Sequence, residues 1–407
     1  MNKRYVAVLV IFLVVFLFSG SGLAADKPVK IGFAYIMSGP AATYGQFAKQ
    51  GAELAIDEIN KAGGINGRKV EGVFEDDAGK SDVGIRVIRK LVYENGVDVV
   101  MGIDSSGVVA GVAPVMKELK TPLIVTHAAN PDTTGASCNR YVFRISLNES
   151  QNIAMASTIA ADLKVKTWST VGPDYSFGHQ SWEYFKNYLA KKKPNAVFLP
   201  DAEVAFSPTA TTDFSPFITK VMSSKADGVL ISLWGGNLID FVRQASDMGF
   251  FDGKREVLMT LGAATEVLSA LKDKMPENQW VGTRYWFQAN NSAMNKAFVS
   301  AYFKRFNVYP SYNAHGAYGA VKAYAAAAAK AKSVDKEKIV TALEGLSIEL
   351  PIGKTFFRAE DHQAISDGVW GKTAADPKMP IRILKPIRSF KGKDIILPAN
   401  ETGCKMQ

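Results

Sequence analysis

The sequence predicts an α/β protein of two lobes, each built on a doubly wound parallel sheet, joined by a hinge of several chain crossovers. From Val29 onward, short apolar β-branched runs alternate with amphipathic helical segments, which is typical of a parallel sheet covered by helices on both faces. The alternation restarts after Arg144. Roughly 380 residues follow the N-terminal segment, too many for one hydrophobic core, because single cores stop growing near ~250–300 residues.

The first series consists of four apolar strands and three amphipathic helices. The strands are rich in β-branched and aromatic residues, and the helices carry apolar residues at helical spacing. In chain order we predict a strand at 29–36, a helix at 44–61, a strand at 70–75, a helix at 82–93, a strand at 97–101, a helix at 108–119 and a strand at 122–125. This series forms the sheet of the first predicted lobe.

The second series forms the other sheet and is followed by long helices and an extended tail. We predict strands at 167–171, 196–199, 228–232 and 257–259, each followed by a helical segment, then helices at 292–306 and 314–332, and strands at 355–358 and 381–387. No linker rich in proline, glycine and serine separates these zones, so we expect short crossovers. We assign residues 26–145 and 281–355 to lobe 1, and residues 146–280 and 356–407 to lobe 2 with a C-terminal tail.

The N-terminus has the pattern of a secretory signal peptide. Two positive charges in the first four residues precede an apolar run over Val6–Phe18, and small residues follow. We expect a signal peptide over residues 1–25, cleaved near Ala24 or Ala25, and a periplasmic mature protein. The alternative, a permanent membrane anchor, needs about 20 apolar residues, more than this run supplies.

Charge and composition limit the classes of partner. Apolar residues at 47% and charged residues at 21% are ordinary globular values and argue against disorder. Removal of the two basic residues of the signal peptide lowers the formal charge from +9 to +7. The only basic run is Lys191–Lys193, without an arginine-rich stripe, so we expect no nucleic-acid partner. A mildly positive surface favours encounter with anionic ligands.

The chain contains two cysteines, Cys138 and Cys404. In an oxidising compartment two cysteines have a single pairing, so we predict this disulfide. It would close a loop of about 265 residues and hold the C-terminal tail. The alternative is a pair of free thiols, which is uncommon in exported proteins.

The sequence lacks the patterns that catalysis or a metal would need. The four histidines, His127, His179, His315 and His362, are never spaced as metal ligands, and no phosphate-binding loop is present. The segment Gly102–Gly107 does not have the Gly-x-Ser-x-Gly spacing of a nucleophile elbow. We therefore expect a protein that is not an enzyme and has no cofactor or metal.

The segment Gly102–Gly107 has instead the features of an anion-binding turn. It follows a strand and begins a helix, so backbone N–H groups and the hydroxyls of Ser105 and Ser106 would converge on a ligand carboxylate. The next strand ends in Thr126–Pro131, and ligands of open α/β sheets bind at the carboxyl ends of strands. The alternative is that these serines are ordinary helix N-caps.

Several short segments form a combination that is more specific than any one of them. They are Ile31–Pro40 with Tyr44–Gly45, Gly51–Asn60, Gly63–Gly67, Glu75–Asp77, Gly102–Ser106, Phe143–Arg144, Phe177–Gly178 and Arg243–Gln244. From about residue 29 to about residue 345, the chain resembles the branched-chain amino-acid type periplasmic binding proteins. The resemblance implies a type I periplasmic-binding fold, a ligand between the lobes, closure by hinge motion, and docking on the permease of an ABC importer.

The resemblance also implies roles for individual residues. Tyr44 would line the cleft entrance. Ser106 would bind the ligand carboxylate through its hydroxyl and N–H, and Ala128 and Ala129 or Asn130 would contribute groups from the next turn. These residues form the first-lobe part of the expected site.

Other positions depart from the pattern of amino-acid binders. Phe177 and Trp234 stand where such proteins carry tyrosines, and Gly262 stands where they present a glutamate to the ligand ammonium group. Glu266 could supply that acid if the alignment slips, with residues 76–77 as a weaker alternative. An ammonium group buried without an anionic partner costs several kcal/mol, and the aromatic residues suit a flat carboxylic acid.

The leading interpretation is a monomeric substrate-binding protein that captures a small carboxylate and delivers it to a membrane permease. A branched-chain or other amino acid and an aromatic acid both remain open as its ligand. A second hypothesis is a ligand-sensing module for a separate receptor. A hydrolase that uses the cleft is a third, although the sequence shows neither its nucleophile nor its base.

Overall fold

The computed structural model describes residues 27–406, so the predicted signal peptide lies outside the described residues. The strands are β1 (Val29–Tyr35), β2 (Val70–Asp76), β3 (Val99–Gly102), β4 (Leu123–Val125), β5 (Val142–Arg144), β6 (Thr167–Pro173), β7 (Val197–Phe198), β8 (Ala205–Ser207), β9 (Gly228–Ile231), β10 (Glu256–Met259), β11 (Trp280–Thr283), β12 (Ser347–Leu350), β13 (Gly353–Phe357), β14 (Ala364–Ile365), β15 (Gly368–Ala374) and β16 (Ile383–Phe390).

The helices alternate with these strands through most of the chain. They are α1 (Ala42–Lys61), α2 (Ser81–Tyr93), α3 (Ser106–Leu119), α4 (Glu149–Asp162), α5 (Ser176–Lys192), α6 (Ser215–Met222), α7 (Gly235–Asp247), α8 (Thr265–Leu271), α9 (Ala293–Phe306), α10 (Tyr312–Ala331), α11 (Lys336–Leu343) and α12 (Gly392–Ile395). None of the described helices is both long enough and apolar enough to cross a membrane.

The first sheet has the strand order β2-β1-β3-β4-β5, and all its pairings are parallel. Its strand β1, which pairs with β2 and β3, is buried along almost its whole length, as expected for a parallel strand covered on both faces. Helices α1 and α10 pack against each other beside this sheet, and so do α2 and α3. The late helix α10 therefore returns to the first lobe.

The second sheet has the strand order β16-β15-β11-β10-β9-β6-β7, with β8 also paired to β6. Its strands from β6 to β11 pair in parallel, while β15 and β16 add an antiparallel edge. The predicted fold class, two doubly wound parallel sheets in two lobes, is confirmed. The antiparallel edge and a third sheet, β12-β13-β14, were not predicted.

The chain crosses between the two sheets in three places. It leaves the first sheet between β5 and α4, returns to it between β11 and α9, and enters the second sheet again before β15. These crossovers lie near the predicted lobe boundaries, and β11 belongs to the second sheet. The division into residues 26–145 with 281–355 and 146–280 with 356–407 stays a proposal.

The hydrophobic core has two parts. The smaller cluster lies in the second lobe, where Trp168, Trp182, Phe185 and Trp370 are buried together with apolar residues of α4. The larger cluster contains the core of the first lobe and also α7 and α8 of the second. Packing is thus continuous from one lobe to the other, which supports the strand ends that meet between them.

A disulfide bond joins Cys138 to Cys404, as predicted, with 5.5 Å between their Cα atoms. Cys138 follows β4 in the first lobe, and Cys404 follows α12 beyond the last strand of the second sheet. The bond therefore adds a covalent connection between the C-terminal tail and the first lobe.

Candidate ligand-binding site

The carboxyl ends of the parallel strands in both lobes meet around one cavity. The cavity is narrow, with a volume of about 20 Å³. Its lining residues follow β3, β4, β6, β9, β10 and β11, with further residues from α1, α3 and α10. They are Tyr44, Asp104, Ser106, His127, Ala129, Tyr175, Phe177, Trp234, Leu261, Arg284 and Tyr312. Ligands of open α/β sheets bind at this end of the strands.

A buried acid and histidine form the polar wall in the first lobe. One carboxylate oxygen of Asp104 accepts a hydrogen bond from the backbone N–H of Ile36 at 2.7 Å, and the other lies 2.8 Å from Nδ1 of His127. The Nε2 atom of His127 lies 2.8 Å from the carbonyl oxygen of Asn313, so it carries the proton and donates it. The Nδ1 atom of His127 also lies 2.9 Å from the hydroxyl oxygen of Thr126, and the second oxygen of Asp104 accepts no hydrogen bond from a described residue.

The two serines before α3 have different positions. The hydroxyl oxygen of Ser105 accepts a hydrogen bond from the N–H of Gly107 at 3.3 Å, which makes Ser105 the N-cap of α3. Ser106 begins the helix, is buried, and lines the cavity. The free N–H groups at a helix N-terminus favour an anion there.

Aromatic side chains form the wall of the second lobe. Trp234 donates a hydrogen bond from its indole Nε1 to the hydroxyl oxygen of Tyr175 at 3.0 Å. The rings of Tyr175 and Phe177 are stacked with 6.3 Å between their centroids. Across the cavity, the ring of Trp234 meets that of Tyr44 edge-on at 5.4 Å. Tyr44 and Trp234 therefore bring the two lobes into contact.

The start of α7 also touches the first lobe. The N–H of Gly235 donates a hydrogen bond to the hydroxyl oxygen of Tyr44 at 3.1 Å. A Cβ atom on Gly236 would lie 2.7 Å from the carbonyl oxygen of Pro40, too close for any other residue without movement of the backbone. The absence of a side chain at this position lets the second lobe approach the loop before α1.

Arg284 enters the cavity from the crossover after β11. Its side chain is buried, its Nη1 donates to the carbonyl oxygen of His127, and its guanidinium carbon lies 5.2 Å from the ring centre of Tyr312. Arg284 is the basic side chain among the residues that line the cavity. It contributes a positive charge where the two lobes meet.

Two buried carboxyl groups lie behind the walls. Burial raises the pKa of Glu266 to about 7, although Asn313 donates a hydrogen bond to one of its oxygens. Burial likewise raises the pKa of Glu149 to about 7, against hydrogen bonds donated by Ser181 at 2.6 Å and Asn152 at 2.7 Å. Both carboxyls are partly protonated near neutral pH. Among residues 27–406, no group of three or more acidic, histidine or cysteine side chains is arranged to hold a metal ion.

Some of the residues named from the sequence lie in the cavity and some do not. Those that line it are Tyr44, Ser106, Ala129, Phe177 and Trp234. The others support it from outside: Ser105, Ala128, Asn130 and Gly262.

These supporting residues lie outside the cavity for different reasons. The carbonyl oxygens of Ala128 and Asn130 accept hydrogen bonds from the buried guanidinium of Arg144. A Cβ on Gly262 would point at Val281 and Met259, in the core, and the neighbouring Leu261 lines the cavity instead. The weaker alternative at residues 76–77 lies outside the cavity lining.

Sequence reasoning missed six lining residues: Asp104, His127, Tyr175, Leu261, Arg284 and Tyr312. Asp104 and His127 lie inside the two strand-end segments that the sequence had identified, so their position after a strand was the available signal. Arg284 and Tyr312 are distant in sequence from those segments. Their position depends on the crossovers and could not be deduced from local pattern.

Comparison with known proteins identifies the family. The sequence model described as "periplasmic binding protein" matches residues 28–374. The chain belongs to the periplasmic binding protein family. The family name places its members in the periplasm, outside the cytoplasmic membrane.

Curated relatives of this periplasmic binding protein carry related names. The "Leu/Ile/Val-binding protein homolog 3" of Brucella melitensis is 32% identical over 173 residues, which are 42% of this chain and 46% of that protein. The chain thus matches less than half of that relative's length. The "Leu/Ile/Val-binding protein homolog 4" of Brucella abortus is 24% identical over 411 residues, covering 96% of this chain and 95% of that protein.

Solved structures share the fold. An ABC-type branched-chain amino acid transporter protein of Rhodopseudomonas palustris is 29% identical with a TM-score of 0.73, and covers 93% of this chain and 100% of that one. A solute-binding protein of an ABC transporter from another Rhodopseudomonas palustris strain, in complex with 3,4-dihydroxybenzoic acid, is 24% identical with a TM-score of 0.80, and covers 90% of this chain and 98% of that one. The type I periplasmic-binding fold is therefore established.

Proposed function

We propose that this protein is the substrate-binding component of an ABC importer, and that it carries a small carboxylic acid between its lobes to a permease in the inner membrane. The observation that carries the proposal is the cavity to which both lobes contribute lining residues. A ligand that touches both walls is bound more tightly when the lobes are closed, and the permease can recognise that closed form.

Ser106 and the aromatic wall have complementary roles in this proposal. The N-terminus of α3 and the hydroxyl of Ser106 donate hydrogen bonds to the ligand carboxylate, with the backbone of Ala129 beside it. Tyr44, Phe177 and Trp234 cover the body of the ligand. Ser105, Ala128, Asn130 and Gly262 act indirectly, by holding the helix start, the Arg144 network and the sheet in place.

The aromatic walls suit an aromatic acid, and the amino-acid alternative depends on Asp104. A buried ammonium group needs an anionic partner, and the one oxygen of Asp104 that accepts no hydrogen bond from a described residue lies 2.8 Å from Nδ1 of His127. A Rhodopseudomonas palustris protein of the same fold holds 3,4-dihydroxybenzoic acid. The names of the Brucella relatives support the second candidate, a branched-chain amino acid.

The proposal includes export and assembly. The signal peptide over residues 1–25 is removed near Ala24 or Ala25, and the mature protein acts in the periplasm as a monomer. It has no catalytic step, no cofactor and no nucleic-acid partner. If a pull-down recovers a receptor kinase rather than a permease, the chain is a sensing module, and turnover of a bound ligand would make it a hydrolase.

Calorimetric titration tests the proposal directly. Ligand-stripped mature protein would be titrated with benzoate, 4-hydroxycinnamate, leucine and valine, and lobe closure followed by small-angle X-ray scattering. We expect the aromatic acids to bind and to reduce the radius of gyration. Binding of the amino acids alone would assign the second candidate, and no binding by any of the four would contradict a small-carboxylate site.

A further inference from the structure

Two arginines are buried between the lobes, and their surroundings differ. Each nitrogen of the Arg144 guanidinium group has an acceptor within the protein. Its Nε donates to Gln363, its Nη1 to the carbonyl of Asn130, and its Nη2 to Thr134. Arg284 donates one hydrogen bond, from Nη1 to the carbonyl of His127, and its Nε has no partner among the described residues. A guanidinium group has five N–H donors, so most of those on Arg284 are left for another molecule.

Arg284 also lacks a salt-bridge partner among the described residues, and Glu149 interacts with its charge only at longer range. Within the described part of the chain, no carboxylate oxygen lies within salt-bridge distance of its guanidinium group, although only 6% of the residue is exposed. The ring of Tyr312 provides a cation–π contact at 5.2 Å, which is weaker than an ion pair. A buried charge without a partner is strongly destabilising, so the protein retains it at a cost that an anionic ligand would offset.

The acids near the cavity are occupied by other groups. One oxygen of Asp104 accepts from the N–H of Ile36, and the other lies 2.8 Å from Nδ1 of His127 and not within salt-bridge distance of Arg284. Glu149 accepts from Ser181 and Asn152, and Glu266 accepts from Asn313. Burial raises the pKa of both glutamates to about 7, so neither offers a full negative charge to Arg284.

We propose that Arg284 is the group that binds the negative charge of the ligand, and that the site therefore selects acids over neutral ligands of the same shape. This inference rests on the proposed function and makes its ligand class definite. The carboxylate receives N–H donors from Arg284 in the two-pronged geometry that guanidinium and carboxylate groups share, in addition to the donors at the start of α3. Binding neutralises the buried cation at the same time.

A matched pair of ligands isolates the charge. Benzoate and benzamide have nearly the same shape and differ in charge, so both would be titrated into the wild-type protein and into Arg284→Gln and Arg284→Lys at neutral pH. We expect the wild-type protein to prefer benzoate strongly. In Arg284→Gln, benzoate binding should weaken about 100-fold, while benzamide binding changes about threefold or less, because the variant removes the partner of a buried charge.

The conservative variant separates charge from structure. Arg284→Lys keeps the charge and should recover part of the benzoate affinity, which a purely structural role for Arg284 would not produce. Arg388→Gln removes a surface arginine that pairs with Asp162 and serves as the control. Circular dichroism of each variant would confirm that it is folded, and a thermal shift with benzoate gives a second readout.

The outcomes distinguish the two proposals. Equal weakening of benzoate and benzamide, or unchanged benzoate affinity in Arg284→Gln, would overturn the role of Arg284 while leaving a small-carboxylate site intact. Failure of the wild-type protein to bind benzoate, hydroxycinnamate, leucine or valine would instead contradict the proposed function.

Discussion

The two walls of the cavity are built from different chemistry. The first lobe contributes Asp104, Ser106 and His127, which are polar and buried, and hydrogen bonds to backbone groups hold Asp104 and His127 in place. The second lobe contributes three aromatic residues, Tyr175, Phe177 and Trp234. A polar wall gives direction and charge selection, whereas an aromatic wall gives contact area.

This difference indicates an order of events. The polar wall can orient a carboxylate before the lobes close, because its groups come from one sheet and are already held in place. The aromatic wall adds contacts only when the second lobe arrives, so its contribution appears as stabilisation of the closed form. Changes in the polar wall should therefore affect folding and recognition, and changes in the aromatic wall should affect closure and affinity.

The largest effect is expected from Asp104→Ala. The substitution leaves the buried N–H of Ile36 without its acceptor and removes the carboxylate beside His127, and we expect a loss of about 3 kcal/mol in the free energy of unfolding. Urea denaturation would measure it. Asp174→Ala is the matched control, because Asp174 pairs with His179 at the same 2.8 Å but both side chains are about half exposed. Similar losses in both variants would contradict a special role for the buried pair.

The next largest effect is on the pH dependence of the free energy of unfolding, through the buried carboxyl group of Glu266. The folded pKa of Glu266 is raised by burial to about 7 from an ordinary value of 4.5, so between these values the folded state binds more protons than the unfolded state. The contribution of Glu266 to the free energy of unfolding is fully present below pH 4.5. It should fall by about 3 kcal/mol as the pH rises through 7. Glu266→Gln should flatten this part of the profile, and the exposed Glu71→Gln should leave it unchanged.

Urea midpoints at several pH values between 4.5 and 8 would provide that profile. Some slope should persist in Glu266→Gln, because burial also raises the pKa of Glu149 to about 7. A slope identical to that of the wild-type protein would show that Glu266 titrates as an ordinary carboxyl.

Trp234→Ala tests the aromatic wall. The loss of ring contact with the ligand and with Tyr44 should weaken benzoate binding about 10–100-fold, and the loss of the hydrogen bond to Tyr175 should lower the free energy of unfolding by about 1–3 kcal/mol. Trp280→Ala is the control, since Trp280 is also half-buried but lies outside the cavity. Calorimetry on both variants would check this, and equal affinities would remove Trp234 from the site.

The smallest effect separates the two serines at the start of α3. Ser106→Ala removes a hydroxyl donor from the cavity and should weaken benzoate binding about fivefold, close to 1 kcal/mol. Ser105→Ala removes the helix cap and should lower the free energy of unfolding by about 1 kcal/mol with little change in affinity. If Ser106→Ala and Trp234→Ala both bind benzoate normally, the site assignment is wrong.

Much of the fold could be predicted because its determinants are local. Buried parallel strands such as β3 and β9 are continuous apolar runs, and the helices between them have clear periodicity, so their positions agree with the structure to within a few residues. The C-terminal tail was harder to predict from the sequence. The strand β15 contains glycine, lysine and threonine and becomes a strand because it pairs with β11, a partner that its own sequence does not specify.

The candidate site could be predicted only where it coincides with strand ends. Ser106 and Ala129 follow β3 and β4 directly, so the topology of a parallel sheet places them at the cavity. Arg284 and Tyr312 reach the same cavity from a crossover and from the start of α10. Their convergence depends on how three crossovers are arranged in space, which no local pattern encodes. For this reason the positive charge that Arg284 brings to the site could not be predicted from the sequence.

The disulfide has a consequence for biogenesis. Cys138 and Cys404 are separated by 266 positions, and an exported chain emerges with its N-terminus first. The thiol of Cys138 must therefore wait, reduced, until almost the whole second lobe has crossed the membrane and Cys404 arrives. The bond can therefore form only after nearly the whole chain has crossed the membrane. A chain arrested partway would retain a free thiol on its first lobe and remain open to mispairing with other proteins in the oxidising compartment.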